Sequence, residues 1–107
     1  MNPETAIQTA ILEAVNASGL ATLWRNSTGF DAQHRVKYGL CRGSADLIGI
    51  TARGQFVAFE VKTPTGRATT EQRLFLALVA RNGGLARIVR SVEDAMVAIR
   101  EALKEQI

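Results

Sequence analysis

The spacing of apolar positions orders the elements before any composition is counted. Over residues 2–18, Ile7, Ala10, Ile11, Ala14 and Val15 fall on one helical face, Pro3 suits a first turn and Gly19 suits a stop. A first helix follows. Leu20 to Arg25 reads as a short strand, whereas Asn26 to Gly43 is polar, holds three glycines and shows no period, so it reads as a loop. Ala45–Ile50 and Gln55–Lys62 are rich in Val, Ile and Phe and are joined by Thr51-Ala52-Arg53-Gly54, the pattern of a hairpin. With Gly54 in the left-handed conformation and Ala52–Gly54 as the loop, Thr51 closes on Gln55. Ile50 then pairs with Phe56, Ile48 with Ala58, and Asp46 with Glu60. Both faces of the hairpin are apolar, which predicts central strands covered on both sides. A second helix opens at Thr69, where Thr69 and Gln72 form a capping-box pattern, and stops at Gly83-Gly84. A strand over Ala86–Arg90 and a third helix capped by Ser91 complete an αβββαβα order, an α/β fold with a mixed central sheet flanked by helices.

Composition narrows what such a fold can do. The 107 residues are 47% apolar and 21% charged, which predicts one ordered domain over 1–107. A single cysteine, Cys41, excludes an internal disulfide, and we expect it to be buried or half-buried. No apolar run approaches 18 residues and the N-terminus lacks a signal-peptide pattern, so the expectation is no membrane and a reducing cytoplasm. One His and one Cys cannot build a zinc cluster, so any metal must be held by oxygen. No phosphate-cradling glycine loop is present, and no organic cofactor is expected. Charge is segregated: residues 25–90 hold eleven Lys and Arg against four Asp and Glu, a net of +7, while residues 1–24 and 91–107 each carry −2. Such a field suits a polyanion.

The chemistry concentrates at Asp46 and Glu60-Val61-Lys62. Strand alternation puts Glu60 and Lys62 on one face, and the register sets Asp46 across from Glu60. Facing carboxylates on central strands destabilise the sheet unless something neutralises them. A divalent cation does so, Mg²⁺ by its preference for hard oxygen ligands and Mn²⁺ as a substitute. The bland account, a solvated ion pair at a strand end, is weakened because the rest of that face is apolar. Glu4 shares the inward face of helix one with Ile7 and Ile11, either as a helix-dipole partner or as a third acidic ligand, whereas Glu13 points outward. Gln72 could close its capping box or bind a metal-bound water. Arg25, Asn26, Thr28 and Ser44 offer donors to phosphate, and Arg35, Lys37 and Arg42 add charge. Lone His34 reads as incidental.

Taken in order, Glu4 ahead of Ile7-Gln8, Arg25-Asn26 to Gly29, Gly43-Ser44-Ala45-Asp46-Leu47-Ile48-Gly49, Phe59-Glu60-Val61-Lys62 and Glu71-Gln72 resemble the PD-(D/E)XK nuclease superfamily. More narrowly they resemble its small VRR-NUC members of phage and bacterial origin. Ala45 departs from the proline that the superfamily name places before the aspartate. The resemblance implies a restriction-endonuclease-like core and a Mg²⁺-dependent DNA endonuclease in the cytoplasm of a bacterium or a phage-infected host. It implies metal binding by Asp46, Glu60 and the Val61 carbonyl with Glu4 nearby. Catalysis would fall to Asp46, Glu60, Lys62 as the residue that orients or deprotonates water, and Gln72 as its helper. Small relatives resemble Holliday-junction resolvases, which implies a homodimer acting on branched or junction DNA. That preference agrees with the lack of a zinc-finger or helix-turn-helix reading motif. The competing expectation is a non-cleaving nucleic-acid-binding or assembly subunit with the same fold. For the dimer contact we expect exposed apolar positions on helix three, such as Met96 or Ile99.

Overall fold

Each helix begins where a side-chain oxygen takes up a backbone amide that the helix itself leaves free. In the computed structural model, which describes residues 1–105, Asn2 Oδ1 accepts from the Thr5 N–H at 2.8 Å and α1 runs Pro3–Ser18 to a left-handed Gly19. Thr69 Oγ1 accepts from the Gln72 N–H while Gln72 Oε1 accepts from the Thr69 N–H, the full capping box, and α2 runs Thr70–Arg81. Ser91 Oγ accepts from the Asp94 N–H at the start of α3, Val92–Glu105. None of these helices is long and apolar enough to cross a membrane among the described residues.

Between them lie β1 (Ala21–Arg25), β2 (Gly29–Asp31), β3 (Val36–Tyr38), β4 (Leu47–Thr51), β5 (Phe56–Val61) and, after α2, β6 (Leu85–Val89). The main sheet has the order β1-β4-β5-β6, with β1–β4 and β4–β5 antiparallel and β5–β6 parallel. It is the mixed sheet expected. The β4–β5 turn closes as the spacing predicts: the Thr51 N–H donates to Gln55 O, the Gly54 N–H donates to Thr51 O, and Gly54 takes φ +85°. Ile50 faces Phe56 and Ile48 faces Ala58.

One face of this sheet carries Leu23, Leu47, Val57, Phe59, Val61, Leu85 and Val89 into a core closed by Ile11 and Val15 of α1 and by Ala95, Ala98, Ile99 and Ala102 of α3. On the other face α2 packs Phe75, Leu76 and Val79 over Ala58, Ala86 and Ile88. The twelve residues of α2 cover β6 and the Ala58 part of β5, beside which Ile48 of β4 is also buried, and leave β1 and the turn end of the β4–β5 hairpin open. Contrary to the expectation of full cover, Trp24, Ile50 and Phe56 on that face are 50%, 45% and 41% exposed.

Three further expectations are corrected. The polar stretch 26–43 is not all loop: β2 and β3 pair antiparallel in a separate two-stranded sheet. Strands of three residues are too short to show a period, which is why the pattern misses them. Cys41 is exposed, because its segment runs over the surface beside α2. Ile99 is fully buried against α1 and the sheet and Met96 is half-buried, so α3 spends its apolar face on the core.

Candidate active site

Asp46 stands immediately before β4, Glu60 is the penultimate residue of β5 and Lys62 follows its end. Continuing the β4–β5 register by one step sets Asp46 opposite Glu60. Two crossed hydrogen bonds hold them there: the Asp46 N–H donates to Glu60 Oε1 at 3.2 Å, and the Val61 N–H donates to Asp46 Oδ2 at 2.9 Å. Lys62 Nζ lies 3.3 Å from Glu60 Oε2. Glu60 is 1% exposed and Lys62 9%, while Asp46 is half-buried. The three charges meet at one corner of the sheet.

Neighbouring strands fix this corner. Asn26, just past β1, donates its backbone N–H to Asp46 O at 2.9 Å and its Nδ2 to Ala45 O and Ser44 Oγ. On the other side the Lys62 N–H donates to Val89 O of β6 at 3.1 Å. Asn26 and Ser44, read from sequence as phosphate donors, are thus bonded to each other and steady the backbone of Asp46.

Burial first and the adjacent Asp46 carboxylate second push the Glu60 carboxyl up to about 7, the Lys62 ammonium offsetting only part of the rise. Glu60 Oε2 is fully buried and accepts no hydrogen bond: Lys62 Nζ is an ionic neighbour outside hydrogen-bond geometry. A buried acceptor without a donor calls for an unseen partner. In an extended strand the N–H and C=O of one residue point to the same side, so the Val61 carbonyl faces the Asp46 side, beyond the last β4–β5 ladder pair Leu47–Phe59. Two carboxylates and a carbonyl form a hard-oxygen set, and these residues fit a divalent cation.

Other expected residues are placed differently. Glu4 is half-buried in the first turn of α1, and among the described residues no third acid, His or Cys joins the Asp46–Glu60 pair. The structure therefore does not bring Glu4 to it. Gln72 is half-buried, with Oε1 committed to the capping box. Arg25 is exposed and donates Nη2 to Thr9 Oγ1 at 2.8 Å. Thr28 is exposed beside the small hairpin, Lys37 lies on β3, and Arg35 sits in the turn at φ +54°. Arg42 pairs with Glu71 at 3.4 Å, which offsets its charge. His34 is bonded to Asp31 on the surface and holds that carboxyl below its usual range.

Sequence reasoning missed Arg67, Arg73 and Arg90. They line one concavity with Pro64, Thr65 and Gly66, directly after Lys62. They were visible only as part of the +7 central stretch, since residues so far apart in sequence form no motif.

A mixed sheet flanked by helices, with acids and a lysine gathered at the end of its central hairpin, is the nuclease fold of the PD-(D/E)XK superfamily. The VRR-NUC domain model matches residues 2–93, and the chain belongs to this family. A solved structure titled "VRR_NUC domain protein" is similar at a TM-score of 0.64 and 17% identity, over 97% of this chain and 90% of that one. Among curated proteins no significant match is found.

Proposed function

We propose that the protein is a Mg²⁺-dependent endonuclease, with Mn²⁺ able to substitute, that hydrolyses DNA phosphodiester bonds in branched or junction substrates as a homodimer. The observation that carries this reading is the buried Glu60 Oε2, which has no hydrogen-bond donor although it shares a corner with Asp46 and Lys62. A buried acid and a half-buried one facing a single ammonium are costly to a fold, and a divalent cation would complete their neutralisation.

Asp46, Glu60 and the Val61 carbonyl would hold the ion. Bound there, a divalent cation acidifies water and offsets charge on the phosphate. Lys62 is held by burial and by its ion contact with Glu60, which sets Nζ to orient the attacking water or take its proton. Gln72 keeps Nε2 outside the capping box, where it positions that water. Arg25, Thr28, Arg35 and Lys37 contact backbone phosphates, with Arg42 doing so when it exchanges Glu71 for the polyanion. Asn26 and Ser44 act one step back, by fixing the Asp46 backbone. The second copy of the chain covers the open strip of Trp24, Ile50 and Phe56, whose exposure places on the order of 300 Å² of apolar surface at the centre of a standard-sized contact.

The test is cleavage of labelled branched and linear DNA with Mg²⁺ or with EDTA. Products should need metal, favour the branched substrate and fall by roughly 10²-fold or more in Lys62→Met and Asp46→Asn, with DNA binding retained. Products that persist in EDTA or in both variants overturn the mechanism. Metal-independent binding without any product would instead assign a non-cleaving nucleic-acid-binding subunit.

A further inference from the structure

The chain leaves β5 at Val61, passes Lys62 and folds back on itself, the Gly66 N–H donating to Thr63 O at 3.1 Å. Arg90, one residue past β6, clasps this turn: its Nη1 donates to Thr63 O at 2.6 Å and to Gly66 O at 2.7 Å. These two carbonyls lock the guanidinium at the wall of an open concavity of about 510 Å³, where Arg67 and Arg73 stand beside it. Arg73 is itself oriented by Nε, which donates to Ala68 O at 3.4 Å.

Three guanidinium groups therefore share one concavity, and among the described residues none of them lies within ion-pair distance of a carboxylate. The acid nearest in bonding terms, Asp94, accepts from the backbone N–H of Arg90 rather than from its side chain. Uncompensated like charges repel one another, and a surface that gathers them without acids is complementary to an anion. Guanidinium forks match phosphate oxygens in pairs. The concavity is also tied to the acid corner, since a Cβ built on Gly66 would lie 3.5 Å from Cβ of Lys62.

We propose that Arg67, Arg73 and Arg90 form a phosphate-binding subsite that seats a phosphate of the nucleic-acid strand beside the one held at the Asp46–Glu60 corner. This inference rests on the nuclease reading and deepens it by fixing where the strand runs: past the exit of β5 and along the turn before α2. Arg67 and Arg73 supply two bonds to phosphate. Arg90 supplies a third and keeps the turn in shape.

The experiment compares the full chain with Arg67→Ala/Arg73→Ala, which removes two exposed side chains, and with Arg81→Ala/Arg100→Ala, which removes two exposed arginines outside the concavity. Binding of a fluorescent DNA is followed by anisotropy in EDTA across a salt series, and cleavage in Mg²⁺ is measured separately. The subsite variant should bind about 10-fold or more weakly, and its log–log salt slope should drop by about 1, for the one phosphate no longer neutralised, while the control pair changes neither. Equal weakening in the two pairs, or an unchanged slope in the subsite variant, overturns the subsite. Oligonucleotides ending in hydroxyl, 5′-phosphate or 3′-phosphate identify the source: weakening common to all three supports an internal phosphodiester, and weakening confined to one phosphorylated end supports a terminal monoester. Wild-type binding with the expected slope but no cleavage would end the hydrolase reading and leave the subsite standing. Cleavage with no slope change in the variant would do the reverse.

Discussion

Glu60→Gln separates what the carboxylate does for the fold from what it does for a ligand. The folded chain holds the Glu60 proton more tightly than an unfolded chain does, with the pKa rising from 4.5 to about 7. Stability on this account is full below the lower value, declines as the pH climbs from 4.5 to about 7, and levels off above it. The size of the rise converts to about 3 kcal/mol lost by pH 8. Glutamine keeps an oxygen for the Asp46 N–H and carries no charge; the attraction of Lys62 that it gives up already counts within the net rise of the Glu60 pKa. The variant should therefore be about 3 kcal/mol more stable than the wild type at pH 8 without metal, a rise in Tm of roughly 12 °C or more for a chain of this size. The assay is a thermal melt at pH 5 and pH 8 in EDTA, repeated with Mn²⁺. Between those pH values the wild-type Tm should drop more than that of the variant. Added Mn²⁺ should raise the wild-type Tm and leave Glu60→Gln unmoved. A variant that melts below the wild type at pH 8, or that keeps the same pH dependence, refutes the claim that Lys62 only partly compensates the buried Glu60 acid.

Three other perturbations follow from the same geometry. Gly49→Ala would drive a Cβ into the Thr22 carbonyl oxygen of β1 and should cost more than about 3 kcal/mol in a urea melt; a cost below about 1 kcal/mol would mean that β1 does not lie against β4 as described. Asn26→Ala removes the Nδ2 bonds to Ala45 O and Ser44 Oγ and should lower stability by about 1–2 kcal/mol and cleavage by roughly 10-fold, and unchanged cleavage would remove Asn26 from the positioning of Asp46. Trp24→Glu should convert a sedimenting dimer to monomer with little change in Tm, since the side chain is half exposed; a wild type that sediments as a monomer at high concentration refutes the dimer.

The hairpin at the centre of the site was legible because its signals are local. Gly54 marks the left-handed position, the Val, Ile and Phe runs on either side mark the strands, and period-two alternation then carries Asp46 to Glu60 without any knowledge of the rest. The caps at Thr69 and Ser91 were legible for the same reason. What failed depends on packing between distant segments. The length of α2 relative to the sheet decides that Ile50 and Phe56 stay open, and no pattern within β4 or β5 carries that information. Ile99 is buried because α1 and α3 meet over one face, which the α3 sequence alone does not reveal. Glu4 shares a helical face with Ile7, but a shared face does not set how far along the sheet the helix begins, and the third acid therefore does not reach the pair. The Arg67, Arg73 and Arg90 concavity gathers residues from a turn, a helix and a strand end, a juxtaposition that only the fold creates.

The clasp of Arg90 on Thr63 and Gly66, together with the Lys62 amide bonded to Val89, bears on how the chain matures during synthesis. A nascent polypeptide that has emerged as far as Asn82 already carries both acids, the lysine and Gln72, yet it lacks the strand that fixes the exit of β5. Parallel pairing across a helical crossover closes late, after the intervening helix has docked. On the ribosome the acid corner thus stays unassembled until the residues beyond α2 are available, and a truncated translation product ending within α2 lacks the strand that holds the exit of β5 beside it.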